Sequence, residues 1–426
     1  MVVQFYIDFM RISKMTRMGR RRFLESLAAF GVTGTALAHM SKTALADADI
    51  DLENEVPVLM GWRRPEDEST AHNNPTAKNN EKPRREPVYV GVPEDQWIRV
   101  ESARDATEQV RNSLADIDVS VGVTTTTRGN NSQKAIIINY QTEEYDLRDD
   151  FSPEISFDEL TDRLPASVSG VAGRGTDRER TVENIPVITK KNHIKFSNVN
   201  DIPSQSSNNS ISTLNSYEYD CSYRPVPAGC AWRTEKGNPS TIGTPVYDED
   251  HDENRLVTAA HCFESVGGTD CRQNSDSSDS IGSKDSNKSK FDHPPNLFDA
   301  AVIDVNNSID MRWDLASSQC DSYRSPGIVG TISDSWLNYL EDDYDITKQG
   351  AATGITSGQV KHVYDLWFTA DLTFDDGDSG CPVYKHRTDS FSTNTYIGGI
   401  LRGGREDEAQ VTKMTRIEDE FNVFVA

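Results

Sequence analysis

The chain has 426 residues, enough for two folded units and a tail, because single hydrophobic cores stop growing well below that length. With 68 Asp and Glu against 44 Lys and Arg the formal net charge is −24, a balance that repels a phosphate backbone and excludes nucleic acid as a partner. The acidity runs along the whole chain and hydrophobic residues make up only 35%. That combination is expected of a protein working in high salt, where screening relaxes self-repulsion, or of a chain with long disordered stretches.

Residues 1–46 read as an export address. Paired arginines at Gly19-Arg20-Arg21-Arg22-Phe23-Leu24 precede a short apolar run to Ala38, with small-residue sites at Ala36-Leu37-Ala38 and Ala44-Leu45-Ala46. This is the pattern of a twin-arginine signal peptide, and a start at Met15 or Met18 would shorten its preface. The apolar run is shorter than a spanning helix needs and carries Glu25, so no stable membrane anchor is expected. The mature protein is therefore expected to be secreted and extracellular.

Residues 47–85 are rich in Asn, Pro, Glu and Arg without periodicity, and are expected to be disordered. Residues 86–197 then read as a small α+β unit. Glu86–Val92 alternates like a strand, and Ala103, Ala106, Val110, Leu114 and Ile117 make a helical stripe. Ala135–Tyr140 and Ile185–Thr189 are further strands, and Ser156 with Glu159 has the form of a capping box. The unit carries no chemical motif, and a Ser/Asn-rich linker follows at 198–215.

From 216 to 426 many short β-type runs are punctuated by Gly, Pro, Asn and Asp: Thr241–Tyr247, Arg255–Ala259, Ala300–Val305, Gln359–Tyr364, Trp367–Leu372, Cys381–Lys385 and Thr395–Leu401. Thr415 and Glu418 suggest a capped terminal helix through Phe421. The acidic run Asp248–Glu253 reads as a solvated hairpin tip, since the Gly and terminal Glu of an EF-hand loop are missing. Lys284–Lys290 reads as part of a long exposed loop. Six cysteines (221, 230, 262, 271, 320 and 381) lie in this half without CxxC or Cys/His clustering, which disfavours zinc and suggests disulfides in an exported chain.

Three motifs carry chemistry, in the order LVTAAHC (Leu256–Cys262), FDAAVIDV (Phe298–Val305) and GDSGCPV (Gly377–Val383). Acyl transfer needs a hydroxyl nucleophile, a base near neutral pKa, and an anion to orient that base. His261, Asp299 and Ser379 supply those three types. Their order and flanks resemble the trypsin/chymotrypsin-like serine peptidases, particularly the streptogrisin-type bacterial members. The resemblance implies an all-β double barrel of two six-stranded antiparallel barrels with the cleft between them. In it Ser379 is the nucleophile, His261 the general base and acid, Asp299 the orienting carboxylate, and Gly377 and Ser379 the oxyanion donors. Lys348–Gly358 and Gly398–Gly404 resemble the segment before the nucleophile and the strand lining the specificity pocket; Thr373, Asp375, Asp376, Arg402, Gly403 and Gly404 are the implied substrate-binding residues. The resemblance also implies a Cys230–Cys262 disulfide, the other pairings staying open.

Two departures stand out. Cys381 replaces a usual Gly, making the turn behind the nucleophile bulkier and open to cross-linking, and Arg402 replaces a small Ser near the expected place of Asp299. Asp378 is expected to meet a buried cation, for which Lys348 is a candidate. The expected function is a secreted serine endopeptidase, monomeric and without a cofactor, acting on polypeptide substrates. Its own N-terminal region is either an accessory domain or, as the resemblance implies, a pro-region serving as folding aid or intramolecular inhibitor. The rival readings are a catalytically silent peptidase-like binding protein and an esterase on the same triad.

Overall fold

The computed structural model describes residues 50, 54–65, 83–128, 131–141, 155–192, 219–234, 239–264, 268–273, 279–292, 297–320, 322–340, 345–388, 392–405 and 408–425. The signal-peptide reading and the linker at 198–215 lie outside the described residues. Among the described residues the chain is mostly β, with few helices.

The N-terminal unit contains strands β1 (Glu55–Arg63), β2 (Glu86–Pro93), β3 (Val119–Arg128), β4 (Asn131–Gln141), β5 (Ser167–Ala172) and β6 (Arg180–Asn192), with helices α1 (Glu94–Ser113) and α2 (Phe157–Arg163). Helix α1 buries Trp97, Val100, Ala103, Ala106 and Val110 at spacings of three and four, one face of an amphipathic helix. Strand β4 is covered on both faces: Ile136 and Ile138 join the core of the unit, while Ile137 packs with Leu297, Tyr364 and Trp367 on the other side. Ser156 caps α2 as expected, its hydroxyl accepting from the Glu159 N–H at 3.1 Å. Strand β1 corrects the expectation of disorder through Arg85. Val56, Val58 and Met60 alternate into the core, a period-2 pattern masked by its polar surroundings.

The next section holds β7 (Val226–Ala228), β8 (Ala231–Trp232), β9 (Ser240–Thr241), β10 (Thr244–Asp248), β11 (Glu253–Thr258), α3 (His261–Glu264), β12 (Asp270–Arg272), β13 (Ser280–Phe291), β14 (Asp299–Val305), β15 (Met311–Ala316) and β16 (Tyr323–Arg324). The last section holds β17 (Ile328–Ile332), α4 (Asp334–Leu340), β18 (Asp345–Gly350), β19 (Gly354–Val363), β20 (Trp367–Ala370), β21 (Pro382–Thr388), β22 (Thr393–Arg405), β23 (Glu408–Lys413), α5 (Met414–Phe421) and β24 (Val423–Phe424).

Strands β18, β19, β20, β23, β22 and β21 pair in that order, and β21 returns to β18, closing a six-stranded antiparallel barrel. A second six-stranded sheet runs β12-β13-β14-β11-β10-β24. The N-terminal unit is not separate from the barrel. Strand β1 pairs with β17 and β3 pairs with β19, so one sheet runs through both.

Three local expectations are corrected. Lys284–Lys290 belongs to strand β13, and Lys288 is buried, its ammonium donating to Asp248 Oδ1 at 2.6 Å, Asp250 Oδ2 at 2.8 Å and Phe421 O at 2.8 Å. Asp248 is correspondingly buried at the start of the hairpin turn, so that tip is not wholly solvated. Helix α5 starts at Met414 with Lys413 as its N-cap. Thr415 instead donates to Asp334, and Glu418 faces inward.

Candidate active site

The register of β11 against β14 assembles the first half of the site. Thr258 pairs with Ala301, so the residues just beyond β11 meet the first residue of β14. Asp299 is fully buried there. One carboxylate oxygen accepts from the His261 backbone N–H at 3.0 Å and the other lies 2.5 Å from His261 Nδ1. An ionised carboxylate only accepts, so Nδ1 carries the proton and Nε2 is left as the basic nitrogen. Burial alone would raise the Asp299 pKa; the His261 ring and the Arg402 guanidinium overcome it and hold the group below its usual 3.8. Burial alone would lower His261, but the Cys262 sulfur and the Asp299 carboxylate raise it well above 6.5.

The Gly377–Gly380 loop docks against that strand end. The Thr241 N–H donates to Ser379 O at 2.9 Å, and Thr241 Oγ1 donates to Gly377 O at 2.7 Å. Gly380 has φ +88°, and a Cβ there would stand 2.2 Å from Thr258 Oγ1 and 3.1 Å from the Ala259 N, two residues before His261. Only glycine fits so close an approach. Gly377 has φ +104°. Among the described residues the N–H groups of Gly377 and Ser379 donate to no protein acceptor, while that of Asp378 between them donates to Asp375 O at 3.0 Å. Two uncommitted amides flanking a committed one are what an oxyanion site requires. The Ser379 hydroxyl also has no hydrogen-bond partner among the described residues.

Asp378 fixes the loop from below. It is fully buried, and its carboxylate accepts from Ala352 N (2.8 Å), Thr353 N (3.1 Å), Thr353 Oγ1 (2.6 Å), Asp375 N (3.1 Å) and the Lys348 ammonium (3.0 Å). Lys348, equally buried, spends its other protons on Thr353 Oγ1 at 2.6 Å and Gly354 O at 3.2 Å. The cation expected for Asp378 is therefore this side chain, delivered by β18, and the turn after it wraps the carboxylate.

Arg402 is buried behind Asp299, with Nε 4.0 Å from Asp299 Oδ2 and the guanidinium 5.4 Å above the Phe291 ring. Burial lowers its pKa to about 10, against the pull of Asp299. Phe291 also lies 6.0 Å from the His261 ring, centroid to centroid. Nothing in the sequence motifs marks Phe291; it is brought to the site by its pairing with Asp299 in the β13–β14 ladder. Thr373, Asp375 and Asp376 are exposed on the loop before Gly377, and Gly403 and Gly404 are half-buried on β22.

No family model matches this chain, and no curated protein matches it.

The cysteines correct two expectations. Cys230 and Cys262 are free thiols. Cys230 accepts from Gln273 Nε2 at 3.1 Å and donates to Pro227 O at 3.2 Å, while Cys262 Sγ faces His261 Nε2 at 3.7 Å, so each sulfur is engaged elsewhere. The disulfide joins Cys221, ahead of β7, to Cys320, beyond the end of β15. Cys381 is a free, buried thiol in the barrel core with no cross-link.

Proposed function

We propose that the protein is a serine endopeptidase with a chymotrypsin-like double barrel, in which the six-stranded sheet carrying His261 and Asp299 is the first barrel and the closed barrel is the second. The observation that carries the reading is the 2.5 Å Asp299–His261 pair, with the Ser379 loop packed two residues from that histidine. His261 Nε2 takes the Ser379 proton as Oγ adds to a peptide carbonyl, and Asp299 stabilises the imidazolium. The N–H groups of Gly377 and Ser379 receive the oxyanion. The imidazolium then protonates the leaving amine, and a water deprotonated by His261 hydrolyses the acyl-enzyme. No step calls on a cofactor.

Export by the twin-arginine route, work in a saline extracellular medium, a monomeric state and polypeptide substrates reaching Thr373–Asp376 and Gly403–Gly404 belong to the same proposal. The chain's order of motifs, its acidity and its exposed rim residues support them. The second reading, a silent peptidase-like binding protein, is favoured by the Arg402 guanidinium 4.0 Å from Asp299. Turnover of matched peptide-amide and ester substrates by the wild type and by Ser379→Ala in high salt separates the readings. Amide hydrolysis lost in the variant supports the endopeptidase; ester hydrolysis alone makes it an esterase; no turnover leaves the silent protein.

A further inference from the structure

The N-terminal unit is built into the C-terminal barrel at more than one level. Backbone pairing joins them twice, Gly61, Trp62 and Arg63 against Ile332, Thr331 and Gly330, and Val123 and Thr124 against Val363 and His362. Two further bonds extend the first junction, from Arg64 N to Val329 O and from Ser333 N to Met60 O. The core is also shared. Val56, Tyr89, Trp97 and Val100 lie in the same apolar cluster as Phe368, Val383 and Leu401 of the barrel. Helix α4 between them has five of seven residues buried, Trp336, Leu337, Asn338, Tyr339 and Leu340. A short helix is buried that fully only when more than one element covers it, and here it packs against both β1 and β19.

A charge pair between the half-buried Arg85 and the buried Glu418 joins the same two parts. Glu418, on α5, accepts from Thr331 Oγ1 at 2.5 Å and Val425 N at 3.0 Å, and its cation is Arg85, 2.9 Å away across 333 residues of sequence. The Arg85 guanidinium lies over Phe424 at 5.2 Å and Trp62 at 5.8 Å. Departure of the N-terminal unit would leave Glu418 buried without a counter-ion and α4 with an aromatic face in water, two costly exposures in one step.

We infer that the N-terminal unit described at residues 54–65, 83–128, 131–141 and 155–192 is a permanent half of the working molecule: the face of the C-terminal barrel formed by β17, α4 and β19 has this unit as its fixed partner, whether the connection between them is intact or cut. This goes beyond the peptidase reading and does not depend on it.

The test uses the full chain carrying Ser379→Ala, with a site-specific protease sequence placed between residues 198 and 215 and cut after folding. Size-exclusion chromatography in high and in low salt is expected to return both fragments in one peak at the mass of the uncut chain. A C-terminal fragment eluting alone as a folded monomer would overturn the inference. With Arg85→Ala in the same background, the nicked halves are expected to separate at lower urea, whereas Arg174→Ala, which removes an exposed pair with Asp105 inside the unit, leaves the separation unchanged. Equal behaviour of the two variants would remove the charge pair from the argument.

Discussion

Lys348 and Asp378 are both fully buried and lie 3.0 Å apart, directly beneath the loop that presents Ser379. Two charges at that depth survive only as a pair, and the carboxylate also accepts four hydrogen bonds that shape the turn between Gly377 and Ser379. Lys348→Met removes the counter-ion and keeps most of the volume. It is expected to cost about 3–5 kcal/mol of stability and to lower kcat/KM by at least about a hundredfold, read from denaturant unfolding and peptide hydrolysis. Wild-type values in both would mean that the pair does not hold the oxyanion site.

The raised pKa of His261 sets the pH dependence. A raised folded-state value means that His261 adds stability below its unfolded pKa of about 6.5, and that this is lost as pH rises through the folded value. Catalysis has the opposite sign, because the base must be neutral. The acid limb of kcat/KM is expected to have its midpoint above pH 6.5 and to move down in Cys262→Ala, which removes the sulfur beside Nε2. A midpoint at or below 6.5, unmoved by that change, contradicts the assignment.

Arg402 competes with His261 for the Asp299 carboxylate. Arg402→Met, similar in length and without charge, should raise the Asp299 pKa and leave the carboxylate to His261 alone. The acid limb is then expected to shift up by roughly one pH unit, about 1.4 kcal/mol of interaction. The pH profile of the variant checks this, and a downward shift would reverse the argument.

The disulfide assignment is open to counting. Alkylation under denaturing, non-reducing conditions is expected to modify four thiols, Cys230, Cys262, Cys271 and Cys381, by peptide mapping. Cys221→Ser opens a link between residues 99 apart, and loop entropy puts its cost at about 4–5 kcal/mol. A Cys230–Cys262 peptide pair in the map would restore the pairing that the resemblance implied.

The Asp299–His261 pair and the glycine turn that carries Ser379 were legible because each residue sits in a short motif whose neighbours must shape a strand end or a tight turn. Strands β10, β11, β14, β19, β20, β21 and β22 were legible from their apolar runs, whereas β12, β13, β15, β17, β18 and β23 were not. Lys288 was not: a lysine in a polar stretch reads as exposed, and only the fold places its ammonium between Asp248 and Asp250. Arg85 and Glu418 are 333 residues apart, beyond any local pattern. Strand β1 was hidden because its alternation is short and gains its burial from β17 and α4, elements the sequence alone does not bring near it.

The most direct test of the central claim is covalent. Full-length protein in high salt is treated with a fluorophosphonate and its intact mass measured, with Ser379→Ala and His261→Ala alongside. The account predicts one adduct, mapped to Ser379 and absent from both variants, because only a hydroxyl served by His261 and Asp299 is nucleophilic enough to react. A folded wild-type chain that takes no label, or an adduct that persists in Ser379→Ala, would contradict it.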